Sequence, residues 1–292
     1  MLNNKSLQEQ FKAFYQEHKP NNFEEAVEKF SIFGGVSWGN IDTSKSSSEL
    51  IEKVILPDFR YIRNDVTDLT TGMPMYHSIL TGIAMGDGKT HTAFKRANIG
   101  KDVGEKALDE LCEIGIIKLE KSKRIFTSWA ENESVSNKLY FTSPFLRFWF
   151  AFVSPLFKGA RDGDYKEILD RYANRENEFV QLTFTQLAHQ FLKLTSIDDP
   201  IVDIGSYWDN DSDIDIFAKT KSGKIIAGTT KYTNAKIKKS ELTKLKEQCT
   251  KSNIEVDKFV IFSKKGFSSE LKALKGDKLG LYTVKNFKKL VE

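Results

Sequence analysis

The chain has 292 residues, 40% hydrophobic and 29% charged, with 22 phenylalanines; this is the make-up of a soluble globular protein with apolar area for a real core, too long for one small domain. The polar N-terminus carries no signal-peptide core and the longest apolar stretch, Phe145–Phe157, is broken and shorter than the about 20 residues a bilayer needs, so a cytoplasmic protein with no membrane span is expected. Net charge is +4, but from Phe217 onward 19 lysines face 7 acidic residues, a basic C-terminal part suited to a polyanion such as DNA or RNA. Cys112 and Cys249 are far apart and the four histidines are scattered, which predicts buried free thiols and no zinc site.

In chain order, Leu2, Leu7, Phe11, Phe14 and Tyr15 share one helical face, and Phe23–Phe33 repeats the pattern until Gly34-Gly35 stops it. Ser46 with Glu49 reads as a capping box opening a helix that ends before Pro57. Residues 1–72 are thus a helical N-terminal region. Residues 73–130 hold three short helices, near Met75–Met85, Thr90–Ala97 and Asp102–Ile114. An apolar strand at Ile116–Leu119 and a second near Arg124–Thr127 follow, which is the order of a winged helix. Residues 131–175 form an aromatic-rich helical connector whose Phe141–Phe157 run reads as buried. In 176–292, a helix, three strands (Ile201–Tyr207, Ser212–Lys219, Lys224–Tyr232), a helix from Ser240, and two further strands near Asp257–Ser263 and Gly280–Val284 make a mixed α/β sheet.

Gly86-Asp-Gly-Lys-Thr90 imitates a phosphate-binding P-loop, but the first glycine is one residue out and a helical pattern precedes it. A turn between helices is expected, and no ATP site. The third helix of the winged-helix segment is acidic, with Asp102, Glu105, Asp109, Glu110 and Glu113, so it is not suited to reading bases. Lys95 and Arg96 on the second helix, and Lys121 and Lys123 at the wing, are candidate phosphate contacts instead. Lys236, Lys238 and Lys239, in the basic C-terminal part, are further candidates for nucleic-acid binding.

The chemistry-bearing stretches are Asp209–Ala218 and Gly228–Tyr232. Alternation along a strand places Asp211, Asp213 and Asp215 on one face and Ile214, Ile216 and Ala218 on the other, with Thr229 and Lys231 together on the partner strand. The turn at Thr220–Gly223 makes the two strands neighbours. An acid beside a lysine at the end of such a pair suits metal-assisted phosphodiester cleavage, the carboxylates holding Mg²⁺ and the lysine orienting water.

This pattern resembles the PD-(D/E)xK nuclease superfamily. From about Phe23 onward the chain also resembles the C-terminal part of a prokaryotic AAA-type ATPase family, which has a lid, a winged helix and a PD-(D/E)xK-like domain of unknown function. The landmarks are Phe33-Gly-Gly35 with Trp38, Ile79–Ala84, Phe141–Phe150, Ile204–Trp208, Asp213–Ala218 and Gly228–Tyr232. The resemblance implies a restriction-endonuclease-like α-β-β-β-α-β domain at 176–292, with Asp215 and Lys231 as the matching site residues. These residues hold no ATPase core, which leaves a subunit working with a separately encoded ATPase as one alternative. Thr229 stands where the family has a glutamate, and Thr185 where an early helix often has one; Asp213, about 7 Å from Asp215 along the strand, could partly compensate. The expectation is a degenerate, non-cleaving relative that binds nucleic acid or a partner protein. The alternatives are an active Mg²⁺-dependent DNA endonuclease and a subunit of a separate ATPase.

Overall fold

The computed structural model describes residues 5–84, 86–123 and 135–292. The fold is mixed α/β, with a helical N-terminal part and a five-stranded mixed sheet in the C-terminal part. Two compact units divide the chain: Met1–Asn21, Glu28–Glu120 and Ser136–Glu176 make the first, and Asn22–Val27, Lys121–Val135 and Asn177–Glu292 the second. Among the described residues no helix is long and apolar enough to cross a membrane.

In the first unit, α1 (Leu7–His18) opens on a capping box in which the Ser6 hydroxyl accepts from the Glu9 N–H and the Glu9 carboxylate accepts from the Ser6 N–H. Two otherwise orphaned helix-end donors are satisfied this way. Its apolar face sets Phe11 and Phe14 against Phe30 of α2 (Phe23–Phe33) at ring-centroid distances of 5.1 and 5.7 Å. Helix α3 (Ser47–Leu50) continues as a π-helical stretch over Ile51–Ile55. Ser46 accepts from the Glu49 N–H, but the Glu49 carboxylate turns to Lys53 at 2.9 Å, so only half of the expected capping box forms.

Helices α4 (Phe59–Leu69), α5 (Pro74–Ala84), α6 (Thr90–Ala97) and α7 (Lys101–Ile114) precede strand β1 (Ile117–Glu120). The strand paired with β1 is β2 (Lys138–Phe141), antiparallel, with Ile117 opposite Phe141. The expected partner strand at Arg124–Thr127 lies outside the described residues. Residues 86–90 join α5 to α6: Gly88 has φ +74°, and its carbonyl accepts from the Leu139 N–H of β2 at 2.8 Å.

The aromatic run is core. Helix α8 (Pro144–Phe148) passes into a π-helical stretch at Trp149–Val153, and every residue from Phe148 to Val153 is buried. Phe145 packs on Trp38, while Phe148 and Phe152 pack on Tyr172. The Gly34 carbonyl accepts from the Phe145 N–H and the Ser143 hydroxyl. Gly35, at φ +86°, leaves only 2.6 Å between a hypothetical Cβ and Ser143 Oγ, so a side chain at this position would collide with the start of the aromatic segment. Helix α9 (Phe157–Asp162) follows, and then α10 (Lys166–Thr195) begins in the first unit and ends in the second.

The second unit holds β3 (Ile201–Trp208), β4 (Asp213–Thr220), β5 (Ile225–Lys231), α11 (Lys239–Lys251), β6 (Lys258–Ser263), α12 (Ser269–Ala273), β7 (Leu279–Thr283) and α13 (Lys288–Val291). Sheet order is β3-β4-β5-β6-β7. The first three strands are joined by tight turns and run antiparallel; α11 and α12 carry the crossovers that make β5, β6 and β7 parallel. One face is covered by α10, whose Phe184 and Phe191 pack against Phe262 and Phe287. The other is covered by α11, whose Leu245 and Cys249 join Ile214, Phe217 and Ala227. At Gly228 an added Cβ would come within 2.4 Å of Val260 and 2.7 Å of its carbonyl, so the middle of β5 has no room for a side chain. Outside β3, Ser122 exchanges hydrogen bonds with the Trp208 backbone and the Lys123 N–H donates to the Ser206 carbonyl. Residues 122 and 123 therefore cover the open edge of the sheet.

Candidate functional site

Asp213, Asp215, Thr229 and Lys231 line one cleft of about 430 Å³ on the α11 side of the sheet. The hairpin turn sets this up: Gly223, at φ +90°, closes Thr220–Lys224 and fixes a register that pairs Ile216 with Gly228. Strict alternation does not hold along β4. Gly205 pairs with Phe217 while Tyr207 pairs with Ile214, so β4 carries one extra residue, at Asp215-Ile216. This β-bulge puts Ile214 and Phe217, three residues apart, into the same core cluster, where unbroken alternation would separate them. Asp211 lies before the strand, in the turn that precedes it.

A bulge leaves backbone groups without ladder partners, and buried ones must be satisfied some other way. Here the Asp215 carbonyl accepts from His189 Nε2 at 2.7 Å and from the Ser206 hydroxyl at 3.1 Å. Accepting by a carbonyl fixes the His189 tautomer as Nε2–H. The Asp215 side chain is committed as well: its Oδ2 accepts from the Thr229 hydroxyl at 2.9 Å and the Thr230 N–H at 2.8 Å, with the Thr230 hydroxyl at 3.4 Å. Thr185 reaches β5 through Thr230, Oγ1 to Oγ1 at 2.6 Å, and Gln181 braces the same strand by bonds to Thr230 and to the Tyr232 N–H.

Lys231 pairs with Glu241 of α11 at 3.5 Å, and Lys244 holds the same carboxylate at 3.1 Å. Burial pushes the Glu241 carboxyl up, but Lys244 and Lys231 outweigh that and hold it below its ordinary value. Sequence reasoning missed Glu241, Lys244, Thr230 and Gln181. The only signal for Glu241 is an acid in the first turn of a helix, a common feature that the helix dipole favours anywhere.

Asp209 has a different role. Burial raises its carboxyl, yet bonds from Tyr207, Asp211, Ser252 and Ser212 bring it below the usual range. It closes the β3–β4 turn, with the Asp211 and Ser212 N–H groups on Oδ1 and the Tyr207 and Ser252 hydroxyls on Oδ2. Cys249 is buried under the sheet, and burial pushes its thiol up to about 11.

A divalent cation such as Mg²⁺ needs several oxygen ligands carrying negative charge. Among the described residues no group of three or more His, Cys, Asp or Glu side chains is placed to hold a metal. Asp215 is tied to two threonines, Glu241 is neutralised by two lysines, and Thr229 is neutral. Two of the cleft's three carboxylates are thus already engaged, and no step is derived through a metal.

The candidate phosphate contacts are distributed. Lys236 and Lys238, both exposed, line the same cleft as Asp215. Lys239 pairs with Glu270 at 3.3 Å and Lys123 with Asp203 at 2.6 Å. Lys121 is exposed at the start of the segment beside β3. Lys95 and Arg96 are exposed on α6 of the first unit.

The family DUF234, described as archaea bacterial proteins of unknown function, matches residues 149–245. That span runs from the aromatic core segment through α10 to the middle of α11, and it includes Asp213, Asp215, Thr229, Lys231, Glu241 and Lys244. No curated protein and no solved structure matches the chain.

Proposed function

We propose that the second unit is a nuclease-like domain that grips the phosphate backbone of a nucleic acid without cleaving it. The observation that carries this reading is how the cleft's charges are spent. Asp215 is engaged by hydroxyls and Glu241 by lysines, while Lys236 and Lys238 stand exposed on its rim. Lysine ammonium groups meet phosphates as point charges and release counterions on binding. In this reading the sheet is a PD-(D/E)xK-like domain, α5–α7 with β1 and β2 form a winged helix, and the chain is kin to the C-terminal part of an AAA-type ATPase family. The acidic residues exposed on α7, among them Asp102, Glu105, Asp109 and Glu113, suit that module to a role other than base reading.

Fluorescence anisotropy with labelled single- and double-stranded oligonucleotides tests the proposal. Affinity should fall steeply with salt, and Lys236→Gln with Lys238→Gln should weaken binding about tenfold at low salt and lower the salt slope by about two. Absence of binding at low salt sinks it. Incubation of plasmid and single-stranded DNA with Mg²⁺ or Mn²⁺ should give no cleavage.

An active Mg²⁺-dependent endonuclease is the second reading, favoured by Asp213, Asp215 and Lys231 lining one cleft. Cleavage that disappears in both Asp215→Ala and Lys231→Ala would establish it. Thr229→Glu is the reverse experiment: cleavage gained there means the fold lacks only a ligand. A partnership with a separately encoded ATPase rests on the family resemblance, and affinity purification that recovers no ATPase counts against it.

A further inference from the structure

Glu241 sits among the cations of the second unit's cleft. It lies in the first turn of α11 and divides its carboxylate between two lysines: one oxygen faces Lys231 Nζ at 3.5 Å and the other Lys244 Nζ at 3.1 Å. Lys231 is the last residue of β5, and Lys244 stands about one turn further along α11. The carboxylate therefore bridges strand and helix, and all three side chains line the cleft.

A clamp that docks α11 on β5 is one account of this bridge. It adds little, because Leu242, Leu245 and Cys249 already fix that helix in the core. The bridge is also open to water: Glu241 keeps 22% of its side-chain surface exposed, Lys231 38% and Lys244 68%. Ion pairs screened to that extent hold weakly and exchange. A carboxylate and a phosphate offer an ammonium group the same kind of charged oxygen. Lysine, a point charge on a flexible stem, takes either without a fixed geometry. The neighbouring acid Asp215 is held on β5 by the Thr229 hydroxyl and the Thr230 N–H, whereas Glu241 touches the two lysines.

We infer that Glu241 occupies a phosphate subsite of this cleft in the free protein, as an internal anion that a nucleic-acid phosphate displaces to reach Lys231 and Lys244. This rests on the reading of the cleft as a grip for a phosphate backbone, and adds to it a built-in competitor. The exposed Lys236 and Lys238 meet the backbone first; closer seating then exchanges the Glu241 carboxylate for a phosphate.

The test titrates the full chain with a fluorescein-labelled single-stranded oligonucleotide, by anisotropy at several salt concentrations. Glu241→Gln keeps the side chain's shape and removes its charge. It should melt close to the wild type and bind about tenfold tighter at low salt, with a salt slope steeper by about one to two, because two more lysines reach phosphates. Lys244→Gln should change affinity little while Glu241 is present, yet remove most of the gain in the Glu241→Gln background; that non-additivity is the mark of exchange. Glu247→Gln makes the same charge change on the same helix, at an exposed position outside the cleft lining, and should leave affinity within about twofold of the wild type. A larger cleft of about 910 Å³ in the first unit, lined by Arg63, Arg96, Arg171 and Arg175, shares no residue with this one, so substitutions at Glu241 and its lysines leave its lining unaltered. The inference is overturned if the wild type binds and Glu241→Gln binds no tighter, if Glu247→Gln tightens binding as much, or if Lys244→Gln costs the same in both backgrounds. Loss of folding in Glu241→Gln would assign the residue to the clamp and overturn it too. A wild type that does not bind at low salt sinks the reading of the cleft as a grip; the competitor then stands if Glu241→Gln binds and falls if it does not.

Discussion

One cleft is lined by four arginines with no acid among its described residues; the other is lined by four lysines that share it with Asp213, Asp215 and Glu241. The arginine cleft is carried by helices around an aromatic core, so its charges are held from behind by packing. The lysine cleft is carried by a bulged hairpin and one helix. There the shape depends on polar bonds: two threonines on Asp215, Glu241 between two lysines, His189 and Ser206 on the bulge carbonyl. The difference teaches that clustered positive charge takes two physical forms in this chain. In one it is presented by planar guanidinium groups drawn from three helices; in the other it shares the cleft with carboxylates.

If the second cleft rests on polar bonds, removing them should cost more than removing its surface charge. Asp209→Ala removes the acceptor of four hydrogen bonds at the β3–β4 turn and should lower unfolding free energy by about 3 kcal/mol, read from urea midpoints. The same carboxylate predicts a pH effect. Its folded value lies below the ordinary one, so its contribution is fully present above the usual carboxylate range and is lost as pH falls through the folded value; Asp209→Ala should flatten that part of the profile. His189→Ala should cost about 1–2 kcal/mol, because it strips one donor from a carbonyl that the bulge leaves outside the ladder. A smaller loss than Lys236→Gln produces would mean that the bulge is braced by Ser206 alone. The smallest effect is electrostatic and belongs to the first cleft. Arg63→Gln should move the His77 titration upward toward its ordinary value, measured by NMR, since Arg63 is the second cause of its depression after burial. No movement would show that Arg63 does not charge the cleft as its position implies.

Much of the second unit was legible. Ile201–Trp208, Asp213–Thr220 and Ile225–Lys231 alternate or run apolar between turn residues, and a five-residue turn leaves two strands no choice but to pair. The bulge at Asp215-Ile216 was not legible, because it exists only relative to β3 and appears in the pairing rather than in β4's own pattern. In the first unit the aromatic run could be read as core from its density of rings. The identity of β2 could not, since β1 finds its partner at Lys138–Phe141, beyond a long intervening segment.

What the amino-acid order settled is local: helix caps at Ser6 and Ser46, the stop at Gly34-Gly35, and a hairpin that makes the strands of Asp215 and Lys231 neighbours. Each of these depends on groups a few residues apart, where chain connectivity supplies the proximity. Tertiary packing decided the rest. It brought Glu241 to Lys231 by docking α11 on the sheet, and it gathered Arg63, Arg96, Arg171 and Arg175 from three helices around one opening. No spacing in the sequence encodes such meetings, because the distance between side chains far apart in the chain is set by which apolar faces bury each other.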